Sequence, residues 1–418
     1  MYKNLYIEKI GKKAKIASKN LFYLNVKKRN DVLNQYCVYL KKYSNLILNE
    51  NKKDIFKAKK IKSAMIERLK LDNNKITKII NSIKKIISFK DPLGKNLASW
   101  KRPNGLIIKK ISIPIGIIGV IYESRPNVTS DVAALCFKSG NVVILRGGSE
   151  AHYSNKILSD LFRKALKNNN CNENCVQFIE NKNRKHVDYL LSSMKDYIDV
   201  IIPRGGKKLI KKVKEKSKVP IIGHLEGICH VYVDQMANLN MAIKIVINSK
   251  MRNVNICGAA ETLLIDKKCI KTHCKPLLNE LSKLGCKIIG DKIIKENFFG
   301  KIKYAKLKDW STEYLSSVIS VKCVNGVTDA INHINKYGTY HTDSIVTENE
   351  RTAKLFLSKV NSSIAVHNAS TQFADGGEFG FGAEVGISTE KLHPRGPVGI
   401  EQLTTYKYIL KGKGQIRK

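Results

Sequence analysis

Residues 115–150 read IGIIGVIYESRPNVTSDVAALCFKSGNVVILRGGSE. Two apolar runs in this stretch, Ile115–Tyr122 and Val142–Leu145, have the length and the β-branched content of buried strands. Between them, Asp131–Ser139 is helical in character, and Gly140-Asn141 marks a turn before the second run. A strand, a helix and a second strand in this order predict a parallel α/β unit.

The same alternation extends along the chain in both directions from this stretch. Further strand-like runs are Leu106–Pro114, Val176–Ile179, Val200–Ile202, Val231–Val233 and Thr262–Ile265. Helical stretches are the first 90 residues, 150–168, 183–195, Leu239–Asn248 and Lys271–Leu284. Because the alternation restarts at Val231, we predict an α/β fold with two doubly wound domains, each with its own sheet.

Composition limits the classes of function. The chain of 418 residues carries 75 Lys and Arg against 35 Asp and Glu, a formal charge of +40. Lysine is spread along the whole sequence, without an arginine-rich arm or zinc-finger spacing, so we expect no dedicated nucleic-acid function. Such a field still attracts anionic substrates. The longest nearly apolar stretch, Ile113–Tyr122, is too short to span a membrane, and we expect a cytoplasmic protein with no membrane partner.

Ten cysteines are scattered through the sequence. Cys171 and Cys175 lie close together, and Cys269 lies near His273 and Cys274, but neither group has a second pair at zinc-binding spacing. Free thiols are the expectation for a reducing compartment, and we expect no metal site.

Cys257 stands apart, in the segment Asn253-Val-Asn-Ile-Cys257-Gly-Ala-Ala-Glu261 ahead of an apolar run. Two interpretations are open. A free cysteine is commonly a small buried hydrophobe. The polar approach favours instead an exposed thiol, which as a nucleophile would form a thioester able to accept hydride. The sequence places no histidine beside Cys257 in the pattern of a cysteine protease.

Glycine-rich turns follow two strands of the first domain. Val142–Leu145 is followed by Arg146-Gly147-Gly148, and Val200–Ile202 leads through Pro203 into Arg204-Gly205-Gly206. Such turns can bring backbone N–H groups to a diphosphate, and an arginine can bind phosphate or ribose. The alternative is two ordinary strand–helix turns that use glycine for its backbone freedom. Neither the standard dinucleotide fingerprint nor the P-loop motif is present.

Taken together, the motifs resemble the aldehyde dehydrogenase superfamily and, within it, the γ-glutamyl phosphate reductase family. The segments that carry the resemblance are Pro114–Gly119, Arg125–Asn127, Lys138–Glu150, Gly227–Asp234, Val324–Ile345 and Phe379–Lys407. The resemblance covers essentially the whole chain. It implies an NADPH-dependent enzyme that reduces L-glutamyl 5-phosphate to L-glutamate 5-semialdehyde, the second step of proline biosynthesis from glutamate.

The resemblance also implies roles for individual residues. Cys257 is the nucleophile, and Ser124 or Asn127 lies where relatives supply an oxyanion donor. The cofactor is expected to contact Arg146, Gly147, Gly205, Gly206 and Glu313, the last through the nicotinamide ribose. Substrate contacts are expected in the segment containing Asn368, Ser370 and Thr371.

One departure concerns the general base of hydrolytic relatives, a glutamate just before a double glycine. Here the segment is Ile222-Gly-His224-Leu-Glu226-Gly227, which puts His224 at the base position and leaves Glu226 as a displaced alternative. A base that activates water would destroy a thioester meant for phosphate, so this departure favours a phosphorylating enzyme. A hydrolytic aldehyde dehydrogenase is the enzyme alternative, and a basic nucleic-acid-binding protein is the other.

By the same resemblance, residues 1–225 form the dinucleotide-binding domain, 226–390 the catalytic domain and 391–418 a return segment with an oligomerisation strand. A hairpin at about 101–113 is expected to join that strand at a subunit interface. We therefore expect a homo-oligomer of unspecified size that receives its substrate from glutamate 5-kinase.

Overall fold

The computed structural model of the chain describes residues 4–58 and 63–417. Its helices are α1 (Leu5–Phe22), α2 (Val26–Lys42), α3 (Ser44–Lys57), α4 (Ser63–Leu69), α5 (Asn73–Ser88), α6 (Pro126–Lys138), α7 (His152–Asn168), α8 (Arg184–Ser193), α9 (Lys207–Lys216), α10 (Leu239–Met251), α11 (Ile270–Lys283), α12 (Lys292–Asn297), α13 (Gly326–Tyr337) and α14 (Glu350–Lys359). Its strands are β1 (Asn96–Lys101), β2 (Ile107–Pro114), β3 (Ile117–Tyr122), β4 (Val142–Gly147), β5 (Val176–Phe178), β6 (Val200–Arg204), β7 (Cys229–Val233), β8 (Ala260–Asp266), β9 (Lys287–Gly290), β10 (Ile302–Tyr304), β11 (Val318–Val324), β12 (Thr342–Val346), β13 (Ile364–His367), β14 (Ile387–Ser388), β15 (Gly396–Pro397) and β16 (Thr404–Lys411).

These elements form two compact units. Unit 1 runs to Gly223 and takes in Gly380–Gly386 and the residues from Val398 on. Unit 2 comprises His224–Phe379 and Ile387–Pro397. The C-terminal quarter thus alternates between the units instead of dividing once near residue 390, because the short strands β14 and β15 pair with each other inside unit 2. Strands of two residues leave too little pattern for the sequence to reveal this return.

The core of unit 1 is a parallel four-stranded sheet in the order β5-β4-β3-β6. All residues of β3 and β4 are buried, which explains their unbroken apolar sequences, since a parallel sheet covered on both faces has no polar side. The N-terminal helices pack on this core, and α1, α2 and α5 are capped by the side chains of Asn4, Asn25 and Asp72.

A second sheet of unit 1 is antiparallel, with the order β1-β2-β16. The segment predicted as a hairpin, 101–113, contains the turn at 102–106 and nearly all of β2, whereas the first strand of the hairpin, β1, lies before it, from Asn96 to Lys101. The C-terminal strand β16 lies along β2 over its whole length.

Unit 2 contains a parallel seven-stranded sheet in the order β10-β9-β11-β8-β7-β12-β13. Adjacent residues of β7 point into different cores. Val231 and Val233 pack with residues of α10 and α11, while Tyr232 packs with residues of α13 and α14. Helices therefore cover both faces, and the predicted fold of two doubly wound α/β domains is confirmed.

Among the helices within residues 4–58 and 63–417, none combines the length and the apolar character needed to cross a membrane.

Candidate active site

Cys257 lies on the turn between α10 and β8. Its side chain is partly exposed, whereas the other nine cysteines, all within the described residues, are buried. Partial exposure favours the exposed-thiol interpretation over that of a small buried hydrophobe, since a core cysteine would be buried like the others, and the role of Cys257 as nucleophile stays a prediction. Among the ten cysteines, Cys257 is the one whose side chain is partly open to solvent.

Two histidines lie beside this thiol. One ring nitrogen of His224, one ring nitrogen of His341 and the Sγ atom of Cys257 all lie within 4.8 Å of one another. The two rings meet edge to face, with centroids 5.0 Å apart and an interplanar angle of 78°. The arrangement can take up a proton from the thiol or bind a cation.

The sheet of unit 2 explains why these residues meet. His224, Cys257 and His341 precede β7, β8 and β12, which are parallel neighbours in the order β8-β7-β12. Residues that precede parallel neighbouring strands lie at the same edge of the sheet. The topology therefore gathers three side chains that lie far apart in the sequence.

The two histidines differ in their surroundings. His224 is partly exposed, and its Nδ1 lies 2.8 Å from the Ile387 carbonyl oxygen. His341 is fully buried, and its Nδ1 lies 2.9 Å from the Thr342 hydroxyl. Burial, reinforced by neighbouring His224, lowers the pKa of His341 well below its ordinary value. His341 is thus held as a neutral imidazole.

Cys229 lies behind Cys257 on β7. Its thiol donates to the Cys257 carbonyl oxygen at 3.1 Å and lies 3.5 Å from Nδ1 of His341. Burial raises the pKa of Cys229 well above its ordinary value, with a further contribution from Asp343. Cys229 therefore remains a protonated thiol that holds the backbone of the turn, and it is a poor alternative nucleophile.

The backbone around Cys257 is fixed from two sides. The Glu313 carboxylate accepts the N–H of Gly227 at 2.8 Å, and a Cβ on Gly227 would come 2.7 Å from Cα of Cys257. The Thr371 hydroxyl donates to the Gly258 carbonyl oxygen at 2.7 Å. Both contacts hold the peptide groups next to the thiol. The ribose contact expected for Glu313 stays a prediction.

The three expected substrate residues all make contacts within unit 2. The Asn368 side chain accepts the N–H of Thr347 at 3.0 Å and donates to its carbonyl at 2.9 Å. Ser370 is buried, and its hydroxyl lies 3.2 Å from that of Ser249. Thr371 is fully buried on the Gly258 carbonyl. These hydrogen bonds fix the three side chains within unit 2, and direct substrate binding by them stays a prediction.

In unit 1, the glycine turns lie at the carboxyl ends of β4 and β6. Gly206 is the N-cap of α9, and its N–H donates to the Glu123 carboxylate at 2.7 Å. A Cβ on Gly205 would come 2.5 Å from that same carboxylate. The N-terminus of α9 therefore donates to a carboxylate of unit 1, and the expected cofactor contacts of Gly147, Gly205 and Gly206 stay predictions. Gly147 packs against Asn155, where a Cβ would overlap the amide.

Arg146 is 7% exposed, and its guanidinium donates to the carbonyl oxygens of Gly147 and Lys182. Burial lowers the pKa of Arg146 from its ordinary value, against the opposing effect of Glu150. Contact with a cofactor phosphate requires the guanidinium to leave these carbonyls, so the expected phosphate contact stays a prediction.

The two candidate oxyanion donors also belong to unit 1. The Ser124 backbone N–H and hydroxyl both donate to the Glu150 carboxylate, at 2.8 and 2.7 Å. The Asn127 amide donates to the Asp131 carboxylate at 3.1 Å. Asn127 has one engaged N–H and a second that its NH₂ group can still offer, whereas the single Ser124 hydroxyl proton is already used. These contacts favour Asn127, and its role stays a prediction.

Sequence reasoning missed His341 as a neighbour of Cys257. It lies inside the quoted segment Val324–Ile345, directly before a strand, but its approach depends on the order of the strands. Strand order is a tertiary property that spacing along the chain does not encode.

Comparison with known proteins identifies the family of the chain. The sequence model of the aldehyde dehydrogenase family matches residues 4–305. Gamma-glutamyl phosphate reductase from Parvibaculum lavamentivorans is 46% identical over 99% of this chain and 98% of its own length. The protein of that name from Thermoanaerobacter pseudethanolicus is 47% identical over 99% of this chain and 100% of its own length. The crystal structure of the Thermotoga maritima gamma-glutamyl phosphate reductase superposes with a TM-score of 0.96 at 40% identity, covering 99% of this chain and 100% of the other.

With a family match over more than half of its length and such relatives over nearly all of it, the chain is an oxidoreductase of the aldehyde dehydrogenase family and belongs to its γ-glutamyl phosphate reductases.

Proposed function

We propose that this protein reduces L-glutamyl 5-phosphate to L-glutamate 5-semialdehyde and phosphate with NADPH, through a thioester on Cys257. The observation that carries the proposal is the partly exposed thiol at the edge of a buried sheet, with two histidines within 4.8 Å. The names of the relatives at 44–47% identity support the same substrate and a place in proline biosynthesis.

The first step is acyl transfer to sulfur. The Cys257 thiolate attacks the acyl carbon, a C–S bond forms, and the C–O bond to phosphate breaks as phosphate leaves with the electron pair. The thiol proton passes to a base, for which we propose His224. A carbonyl contact at Nδ1 fixes its proton there, which leaves the Nε2 lone pair as the acceptor. His341, kept neutral by burial, is the weaker base.

The thioester oxygen gains negative charge as hydride arrives. We propose that the backbone N–H of Cys257 and the side chain of Asn127 or Ser124 stabilise it. Bound NADPH supplies the hydride, and collapse of the thiohemiacetal returns the Cys257 thiolate and releases the semialdehyde.

The residues of unit 1 fit a dinucleotide phosphate. The N-terminus of α9, capped by Gly206, donates to a carboxylate and would donate to the diphosphate once Glu123 withdraws. Gly147 and Gly205 allow close approach of the backbone, and Arg146 is the proposed cation for the 2′-phosphate. Glu313 is the proposed ligand of the nicotinamide ribose.

Selectivity for phosphate over water follows from the base. Once the sulfur is acylated, a His224 that has taken up the thiol proton is a poor activator of water, in contrast to the carboxylate of hydrolytic enzymes. The thioester then survives long enough to exchange with phosphate. In the reverse direction, oxidation of the semialdehyde therefore consumes phosphate.

We further propose a homo-oligomer assembled through the β1-β2-β16 sheet. Trp100, Tyr406, Tyr408 and Leu410 on this sheet are between 40% and 60% exposed, and Trp100 packs against Tyr408 edge to face. A small sheet with large exposed apolar side chains gains stability by pairing with another copy.

Delivery by glutamate 5-kinase and a cytoplasmic location belong to the same proposal. An acyl phosphate that carries a free α-amino group cyclises readily, which favours direct transfer from the enzyme that makes it. The positive field of the chain, +40 in formal charge, would assist capture of this anion.

The test is the reverse reaction with semialdehyde and NADP, followed by NADPH absorbance with and without phosphate. The proposal predicts sustained NADPH formation only when phosphate is present. Equal sustained rates without phosphate would assign the chain to hydrolytic chemistry. Filter binding to duplex DNA at physiological salt examines the nucleic-acid alternative, for which the proposal predicts only weak, salt-sensitive retention.

A further inference from the structure

The cluster of His224, Cys257 and His341 has the donor set of a transition-metal site. It offers one sulfur and two imidazole nitrogens, and the three donor atoms lie within 4.8 Å of one another. Thiolate and imidazole together favour Zn²⁺ and its analogues over Mg²⁺ or Ca²⁺, which prefer oxygen.

His224 is oriented as a metal ligand would be. Its Nδ1 lies 2.8 Å from the Ile387 carbonyl oxygen, which can only accept a hydrogen bond. The ring proton is therefore on Nδ1, and Nε2 carries the lone pair. Metal-binding histidines show this same support, in which the second ring nitrogen donates to a carbonyl.

His341 provides an independent indication. Its Nδ1 is engaged by the Thr342 hydroxyl at 2.9 Å, while its Nε2 is buried without a hydrogen-bond partner among residues 4–58 and 63–417. The side chain is fully buried. A buried polar nitrogen without a partner is costly unless a further group satisfies it. A cation held between His341 and Cys257 would be such a group.

The distances suit a tetrahedral ion after small rotations of the side chains. With Zn–S of about 2.3 Å and Zn–N of about 2.0 Å, donor atoms around one ion lie about 3.5 Å apart. Three protein ligands leave the fourth position to water. The parallel strands β7, β8 and β12 hold the three backbone segments together, so binding needs no rearrangement of the fold.

We propose that Cys257, His224 and His341 form a reversible inhibitory Zn²⁺ site. A Zn–S bond forms as the thiol proton leaves to solvent, and the sulfur can then no longer attack an acyl group. The inhibitory consequence rests on the proposed function, whereas binding of the metal does not.

Spacing rules did not indicate this site, and we expected no metal from the sequence. Spacing rules for zinc sites detect ligands that lie close together in the sequence, as in a zinc finger. Here each ligand precedes a different strand, so the donor set exists only in the folded sheet.

The test uses the full chain and Co²⁺ as a spectroscopic substitute for Zn²⁺. Titration is expected to give one equivalent per chain, with thiolate-to-cobalt charge-transfer absorption and the visible bands of a tetrahedral ion, all displaced by Zn²⁺. Cys257→Ser is expected to abolish the charge-transfer band. His224→Gln and His341→Gln are each expected to weaken the affinity for Co²⁺ at least ~100-fold. Losing a metal ligand should cost at least as much affinity as losing a residue that hydrogen-bonds to a ligand.

His393→Gln is the matched control, because His393 is an exposed histidine of unit 2 outside the cluster. The His393→Gln variant is expected to bind Co²⁺ with the same affinity as the wild type. Circular dichroism checks that each variant folds. Should the buried His341→Gln variant unfold, the partly exposed His224→Gln variant still decides the question.

Two results would overturn the proposal: no charge-transfer band on the folded wild type, or a band of unchanged affinity in the histidine variants. A parallel assay measures Zn²⁺ inhibition of the reductase and its reversal by EDTA, both of which we expect. Suppose that the charge-transfer band requires His224, Cys257 and His341 but the wild-type chain has no reductase activity. The proposed function would then be wrong, and the metal site would remain supported. Reductase activity that Zn²⁺ leaves unchanged would refute the inhibitory site and leave the proposed function intact.

Discussion

Gly227 packs against the backbone of Cys257 so closely that a Cβ on the glycine would lie 2.7 Å from Cα of the cysteine. Real Cβ atoms essentially never approach so near to backbone atoms. If Gly227 is replaced by a residue with a side chain, the backbone of Gly227 or of Cys257 must therefore move. The Glu313 carboxylate holds Gly227 in place through its N–H. The position of the Cys257 thiol therefore depends on a residue with no functional group.

Gly227→Ala is accordingly expected to lower kcat by at least 100-fold, since small displacements of a nucleophile are costly. The free energy of unfolding should fall by about 1–3 kcal/mol from overpacking. Gly223→Ala is the matched control, because a Cβ there meets Pro203 at an ordinary 3.5 Å. Steady-state kinetics and urea unfolding measure both. A Gly227→Ala enzyme with near-normal kcat would show that the turn is not held by this contact.

His224 is expected to influence the reactivity of Cys257. Because the thiolate is the reactive form, removing a base beside it should slow alkylation at neutral pH. His224→Gln should lower the rate of alkylation by iodoacetamide at pH 7 about tenfold, with the rate recovering as the pH rises toward the ordinary thiol pKa. Peptide mapping confirms that the label is on Cys257. The same rate in the variant and the wild type across this pH range would remove His224 from the proton transfer.

A buried ion pair next to β8 should give a pH dependence of stability. Nζ of Lys250 lies 2.5 Å from the Glu261 carboxylate, and both side chains are fully buried. Burial outweighs the attraction of Lys250 and raises the pKa of Glu261 from 4.5 to about 7. The folded state thus binds this proton more tightly than the unfolded state. Its stabilising contribution is present below pH 4.5 and is lost as the pH rises through about 7.

The double variant Lys250→Met/Glu261→Gln removes that titration. Relative to the double variant, the wild type should lose at most about 3 kcal/mol of unfolding free energy between pH 4.5 and 7.5. Lys250→Met alone should destabilise by about 3–5 kcal/mol at pH 8, because it leaves a buried carboxylate unpaired. Urea unfolding at several pH values measures each effect. Parallel curves for the wild type and the double variant would contradict the raised pKa.

The exposed face of β16 is expected to mediate assembly. Tyr408→Lys/Leu410→Lys places two charges where apolar side chains are 53% and 60% exposed. The assembly should dissociate to the 47.1 kDa chain in light scattering after gel filtration. Lys407→Gln is the control. Lys407 directly precedes Tyr408 and points to the opposite face of the strand, so this substitution should leave the mass of the assembly unchanged. An unchanged mass in the double lysine variant would place the interface elsewhere.

The sequence predicted best what depends on local pattern. The strands β3 and β4 appear as apolar runs because both of their faces are buried. By contrast, β1 was missed, since all of its residues are exposed and the strand shows no apolar alternation. The first turn of α6 was missed as well, because it starts at Pro126 in a polar stretch that resembles a loop.

The residues of the candidate site also differ in how far the sequence alone indicates them. Cys257 was recognisable from its polar approach, but its pairing with His341 was not, because only the strand order β8-β7-β12 brings them together. Arg146 is a residue whose surroundings the sequence does not reveal, and its expected phosphate contact stays a prediction. Its place after a strand suggested a phosphate contact, whereas in the fold its guanidinium is buried on backbone carbonyls.

The most direct measurement concerns the covalent intermediate. The enzyme is mixed with semialdehyde and NADP without phosphate, quenched rapidly in acid to limit cyclisation through the α-amino group, and analysed by intact mass and peptide mapping. We expect up to one γ-glutamyl group per chain on the peptide with Cys257, lost on adding phosphate and absent in Cys257→Ser. A wild-type enzyme that turns over without this adduct, or a Cys257→Ser variant within tenfold of wild-type activity, would contradict this expectation.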